Sequence, residues 1–141
     1  MTLKLVNGGE VLALEYLVNK SQPQDLVLRL FQNDITPSDT NTASSYTEST
    51  FVGYAPVTLI GANWSSQEGN PSFIIYPDQV FASSAAQAAQ SNFGYFLTRL
   101  ASGELVWAEK FTSPQVIQNL TDKFAVAPRI EAGDRVELVA E

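Results

Sequence analysis

The chain has 141 residues and a formal net charge of −7, and it contains no histidine and no cysteine. Without those residues there is no Ser-His-Asp or Cys-His nucleophile system, no histidine-ligated zinc and no disulfide framework. Apolar residues make up 45% of the chain and charged residues only 16%, which is typical of a globular domain rather than a disordered chain. The length fits one domain, and neither a repeat nor a linker divides residues 1–141.

The first predicted element is a short helix over about residues 8–20. Asn7 is a candidate N-cap, and Glu10 lies at capping-box spacing from it. Apolar residues then recur at helical spacing, widened by Leu12 and Tyr16: Val11, Leu14, Leu17 and Val18. A helix this short is marginal alone in water. We therefore expect it to cover an end or edge of a sheet, or to dock on a neighbouring subunit.

The period then changes to two, which predicts a strand over residues 26–31. Residues 35–50 are rich in Thr, Ser, Asn and Asp and predict a long polar loop at the surface, either mobile or ordered by a neighbour, with no role in the core. Residues 51–60 resume β character. Because Pro56 cannot donate to a ladder, this strand is expected at a sheet edge or with a bulge.

The second half of the chain predicts further short strands. Residues 73–76 and 79–82 are interrupted by a Pro-Asp pair, and residues 83–92 are interpreted as a loop. Residues 93–99 and 105–111 flank a turn with Gly103, and residues 123–130 and 135–139 form a second hairpin-like pair. The predicted fold class is therefore mainly β: an antiparallel β-sandwich or jelly-roll-like barrel with one short N-terminal helix.

No catalytic or metal-binding motif stands out among the fifteen Asp and Glu residues. Asp34, Asp39 and Asn41 match no calcium-loop pattern and are better explained as turn residues. Basic residues are not clustered as nucleic-acid binding requires, and no apolar run is long enough to span a membrane. We therefore expect no catalytic residue, no cofactor, no metal, no nucleic-acid partner and no membrane partner.

Several segments in this order resemble small structural proteins of tailed bacteriophages and prophages. The segments include Asn-Gly-Gly-Glu-Val-Leu from residue 7, Gly-Tyr-Ala-Pro-Val-Thr-Leu from residue 53 and Glu-Ala-Gly-Asp-Arg-Val from residue 131. The chain looks most like a capsid cement (decoration) protein, and a tail- or fibre-associated protein is the alternative. The resemblance implies a non-enzymatic protein on the capsid surface, assembled in the host cytoplasm. It also implies the major capsid protein as partner and a homotrimer.

Charge along the chain suggests an orientation. Residues 30–98 contain five acids (Asp34, Asp39, Glu48, Glu68 and Asp78) and no Lys or Arg, whereas both ends of the chain carry the basic residues. If the termini lie together, they form a mixed-charge pole that we expect to face the capsid, with the acidic middle outward. The candidate capsid-contact residues are Lys4, Lys20, Lys123 and Arg129.

Two other classes of function remain open. A carbohydrate- or receptor-binding β module would need exposed aromatic residues such as Trp64 and Trp107 along a groove, and full burial of both would exclude it. An enzyme that uses carboxylates alone would need two of them in one cleft.

Overall fold

The computed structural model describes residues 2–132 as antiparallel β-strands with one short α-helix near the N-terminus. The elements in chain order are β1 (Thr2–Leu5), α1 (Asn7–Leu17), β2 (Leu26–Phe31), β3 (Val57–Leu59), β4 (Ser65–Gln67), β5 (Ser72–Ile75), β6 (Gln79–Ala82), β7 (Gln90–Arg99), β8 (Leu105–Ile117), β9 (Lys123–Val126) and β10 (Arg129–Ala132). The prediction of a mainly β chain with one N-terminal helix is confirmed.

The strands form two layers. One layer is a five-stranded sheet in the order β1-β8-β7-β2-β3, and the other comprises a three-stranded sheet (β10-β5-β4) and a two-stranded sheet (β6-β9). Alternate residues of β2 and β7, such as Leu28, Leu30 and Leu97, point into the main core, where they meet Phe81 and Val126 from the second layer. This is the period-two burial expected of a sandwich.

The opposite face of the five-stranded sheet is also covered. Phe31 and Phe96 pack there against Tyr46, whose ring stacks on Phe96 at 5.1 Å between centroids. Tyr46 is only 5% exposed, and Ser49 is fully enclosed and donates to buried Asn92. The prediction that residues 35–50 have no role in the core is therefore wrong. Tyr46 therefore covers the second face of the sheet together with Ile35 and Ala43 of the same polar segment.

The start of the chain differs from the prediction. A strand, β1, precedes the helix and pairs with β8. The N-cap of α1 is Val6 rather than Asn7, and no side-chain hydrogen bond caps the helix. Val6 is buried beneath the second face of the sheet, and its carbonyl accepts the Glu10 N–H. Burial of Val6 thus sets where the helix begins.

The predicted strand over residues 51–60 shrinks to β3, which lies at an edge of its sheet as Pro56 requires. The β7–β8 hairpin is confirmed, with Gly103 at φ +71° and its N–H donating to the Arg99 carbonyl. The second hairpin is not formed as predicted: β9 pairs with β6, and β10 pairs with β5. Its second half, residues 135–139, lies outside the described residues.

Candidate functional site

Helix α1 carries apolar side chains on two opposite faces. Gly9 and Leu12 are buried and Tyr16 is half-buried, at spacings of three and four residues. The outward residues are 55%, 51%, 69% and 70% exposed: Val11, Leu14, Leu17 and Val18, respectively. These four residues, here called the outer stripe, are those whose periodicity predicted docking onto the sheet. The structure reverses the assignment, because the helix packs through its other face.

Gly9 allows α1 to lie directly on strand β8. A Cβ atom at this position would be 2.1 Å from the carbonyl oxygen of Val106, well inside any permitted contact. The neighbouring Gly8 has ordinary space, with its nearest atom at 3.5 Å. The helix is thus anchored by a backbone-to-backbone approach, which fixes the direction in which the outer stripe points.

A pocket of about 420 Å³ lies beneath α1, between the helix and both layers of the sandwich. Its lining is largely apolar and includes Leu12, Leu59, Trp64, Ile74 and Trp107. The two tryptophans form an edge-to-face pair with ring centroids 6.0 Å apart. Of the two, Trp107 is buried and Trp64 is half-buried. The condition that would exclude a sugar-binding platform, full burial of both rings, is therefore not met.

The four candidate capsid-contact residues do not form one patch. Lys20 follows α1 near the turn of the β7–β8 hairpin, since Arg99 donates to the carbonyl of Gln22. Lys123 begins β9 near the other end of that hairpin, since the preceding residue, Asp122, accepts hydrogen bonds from the backbone N–H groups of Gln118 and Asn119, which directly follow β8. The ten residues of β7 span about 30 Å at 3.3 Å per residue, and that length separates the two ends.

The remaining candidate cations lie in ion pairs. Lys4 contacts Asp39 at 2.7 Å, and this hydrogen bond raises the pKa of Lys4. Arg129 contacts Glu131 at 2.7 Å, and its guanidinium lies 3.9 Å from the centre of the Phe73 ring.

Lys20 contacts Glu15 at 3.4 Å. A hydrogen bond from Ser21 lowers the pKa of Glu15, and Lys20 lowers it further. Lys123 forms no ion pair within residues 2–132.

The predicted acidic outer surface is largely neutralised in the folded chain. Asp34 pairs with Lys110, Asp39 with Lys4, and Glu48 with Arg29. Three of the five acids in residues 30–98 are therefore matched by bases from the two ends of the sequence. The separation of acidic and basic residues along the sequence is lost in the folded chain, because the sandwich brings distant segments together.

One surface pocket of about 500 Å³ is lined by two carboxylates, Asp39 and Glu104. Both side chains are about half exposed, and each is ion-paired, Asp39 with Lys4 and Glu104 with Arg99. This is the geometry of solvated surface ion pairs. Within residues 2–132, no cluster of three or more potential metal-ligating acids is formed, and no helix is long and apolar enough to span a membrane.

A comparison of the sequence with protein-family models and with curated proteins found no match.

Proposed function

We propose that this chain is a non-enzymatic structural protein of a tailed-phage virion, bound to the outside of the capsid and stabilising contacts between major capsid proteins. The observation that supports this function best is the outer stripe of α1. Val11, Leu14 and Val18 lie at positions i, i+3 and i+7, the spacing with which helices present anchors to apolar grooves. At 51–70% exposure, the stripe offers apolar surface that a partner would bury.

The anchoring of α1 supports binding rather than chance exposure. Gly9 seats the helix against β8, so a partner meets a preformed surface and little ordering entropy is lost on association. Lys4 and Lys20 lie just before and just after α1 in the chain and add polar contacts at its ends. Each contact is modest, but a symmetric shell repeats it many times. Threefold self-association belongs to the same proposal.

The test is to replace three of the four outer-stripe residues and measure attachment to capsids. Val11, Leu14 and Val18 are changed together to Gln, which keeps helix propensity high. The matched control changes three comparably exposed residues away from α1 to Gln: Val80, Val116 and Leu120. Binding is measured on capsids assembled from a tailed-phage major capsid protein and lacking any decoration protein, and urea unfolding checks that each variant is folded.

We expect the stripe variant to bind at least about tenfold more weakly, a loss of about 1.4 kcal/mol, while the control variant binds like the wild type. Equal binding by the stripe variant would remove α1 from the interface. Failure of the wild type to bind capsids, together with binding to tails, would favour the tail-associated alternative. Light scattering of the free chain tests the trimer, and a monomer at high concentration contradicts that part.

A further inference from the structure

A buried acid lies inside the sandwich without a basic partner among residues 2–132. Glu109 on β8 is 8% exposed, and its cross-strand neighbour Tyr95 is 2% exposed. The Tyr95 hydroxyl donates to Oε2 of Glu109 at 2.6 Å, and the Trp107 indole N–H donates to the same hydroxyl at 3.4 Å. Burial, followed by this hydrogen bond, raises the pKa of Tyr95 far above its usual value, so the hydroxyl remains a donor.

The charge of Glu109 is not balanced by any ion pair within residues 2–132. A single neutral hydroxyl satisfies only part of the hydrogen-bonding capacity of a carboxylate. Removing a carboxylate from water is costly unless a cation and further hydrogen bonds compensate. A positively charged partner would supply the compensation that this carboxylate lacks among residues 2–132.

Glu109 also lines a pocket of about 430 Å³, a volume that accommodates a small organic ligand. Phe111 and Phe124 form aromatic walls, with ring centroids 5.9 Å apart and nearly perpendicular planes. Thr112 and Ser113 line the same pocket and are exposed, so the pocket opens to solvent beside them.

A carboxylate beside aromatic faces is the chemistry that recognises an organic ammonium group. The carboxylate supplies charge-assisted hydrogen bonds, and the rings attract the cation and bury its methylene groups. We propose that this pocket binds a primary alkylammonium group, with its nitrogen on Glu109 and its alkyl stem against the side chains of Phe111 and Phe124. The source is either the lysine side chain of a partner protein or a free small amine. The proposal is independent of the capsid role.

The indole N–H signals of the two tryptophans report binding in an NMR titration. The Trp107 indole N–H donates to the Tyr95 hydroxyl, which donates to Glu109, whereas the Trp64 indole has no hydrogen bond to either residue within the described part of the chain. The probes are n-butylammonium chloride, the neutral isostere butan-1-ol, and the lysine analogue Nα-acetyl-lysine-N-methylamide. We expect butylammonium to shift the Trp107 signal saturably and butanol to leave it in place.

The variant arm changes Glu109 to Gln, which keeps the shape of the side chain and removes its charge. We expect at least a tenfold loss of butylammonium affinity in Glu109→Gln. The matched control Glu131→Gln, at an exposed glutamate, should bind like the wild type. Tyr95→Phe provides a second variant in case Glu109→Gln does not fold. Because it removes the hydroxyl that links Trp107 to Glu109, its butylammonium affinity is measured by isothermal titration calorimetry. Binding should weaken, because Glu109 loses the one side-chain hydrogen-bond donor that it has among residues 2–132.

The outcomes separate cleanly. Equal shifts with butanol, or unchanged affinity in both variants, would overturn the proposal. Arg135→Gln is measured beside the wild type. Binding of butylammonium to this variant but not to the wild type would also overturn the proposal, because Arg135 of the same chain would then be the natural partner of Glu109. Binding of the lysine amide at least as tightly as butylammonium assigns the site to a partner's lysine. Its exclusion, with butylammonium still bound, assigns the site to small free amines.

Discussion

Substituting the two neighbouring glycines of α1 should have opposite effects on stability. In Gly9→Ala, the new Cβ would lie 2.1 Å from the Val106 carbonyl oxygen, against an ordinary contact of 3.4 Å or more, so the helix must move away from β8. Overpacking of this kind costs about 1–3 kcal/mol. The shift also strains the hydrogen bond from the Val6 N–H to the same carbonyl. Alanine's helix propensity returns at most about 1 kcal/mol.

Gly8→Ala is the matched control, since it gives the same propensity gain without the clash: its Cβ meets only Glu104 Oε1, at 3.5 Å. We expect Gly8→Ala to be unchanged or more stable by up to about 1 kcal/mol, and Gly9→Ala to be less stable by about 1–2 kcal/mol. Urea unfolding monitored by tryptophan fluorescence would then separate their midpoints by about 1 M, for a difference of about 2 kcal/mol and a slope of about 2 kcal/mol/M. Gly9→Ala as stable as Gly8→Ala would refute the close approach of α1 to β8.

Three further predictions concern the sandwich. Gly94→Ala should lower the free energy of unfolding in urea by about 1–3 kcal/mol, because its Cβ would lie 2.2 Å from the Glu109 carbonyl oxygen. A stability within about 0.5 kcal/mol of the wild type, the range of harmless surface changes, contradicts this prediction. Burial raises the pKa of Tyr46 from 10.0 to about 12, so its contribution to stability is complete below pH 10 and is lost as the pH rises towards 12. The Tyr46→Phe variant should lose less stability than the wild type over that pH range, and an identical loss contradicts the assignment. Hydrogen bonds from the Asn119 and Gln118 backbone lower the pKa of Asp122. Its contribution to stability is therefore present above the usual carboxyl range and is lost as the pH falls through the lowered pKa. In Asp122→Asn, the free energy of unfolding should fall less steeply at acid pH than in the wild type, and an unchanged acid dependence contradicts this prediction.

The two-layer structure was predictable because residues that are buried on one face recur with a period of two within each strand. In β2, Leu28 and Leu30 point to one core, and Phe31 points to the other. The β7–β8 turn was equally readable, since Gly103 provides the positive φ that the turn needs. Both features depend on neighbouring residues only, which is why a single sequence suffices to identify them.

The packed face of α1 was not predictable from apolar spacing alone. Two stripes fit a helix, Gly9-Leu12-Tyr16 on one face and Val11-Leu14-Val18 on the other, and the second is more apolar. The close approach of Gly9 to Val106 determines which face packs on the sheet, and these two residues are about a hundred positions apart in the chain. Glycine as the first residue of the less apolar stripe is the signal that indicates a close backbone approach.

The buried acid was missed for a related reason. Glu109 has the same strand parity as Trp107 and Phe111, so the alternation of β8 places it inside the sandwich. Among fifteen acids it carries no motif, and its partner Tyr95 lies on the neighbouring strand. Similarly, Asp34, Asp39 and Glu48 are read along the chain as an acidic block, whereas their bases come from distant segments.

The most direct test of the central claim is electron cryomicroscopy of capsids that lack the protein, after addition of the purified chain. The account predicts ordered density on the outer surface, with α1 at the contact and Val11, Leu14 and Val18 facing the major capsid protein. Density in which α1 faces solvent, or capsids that remain bare at saturating concentration, would contradict it.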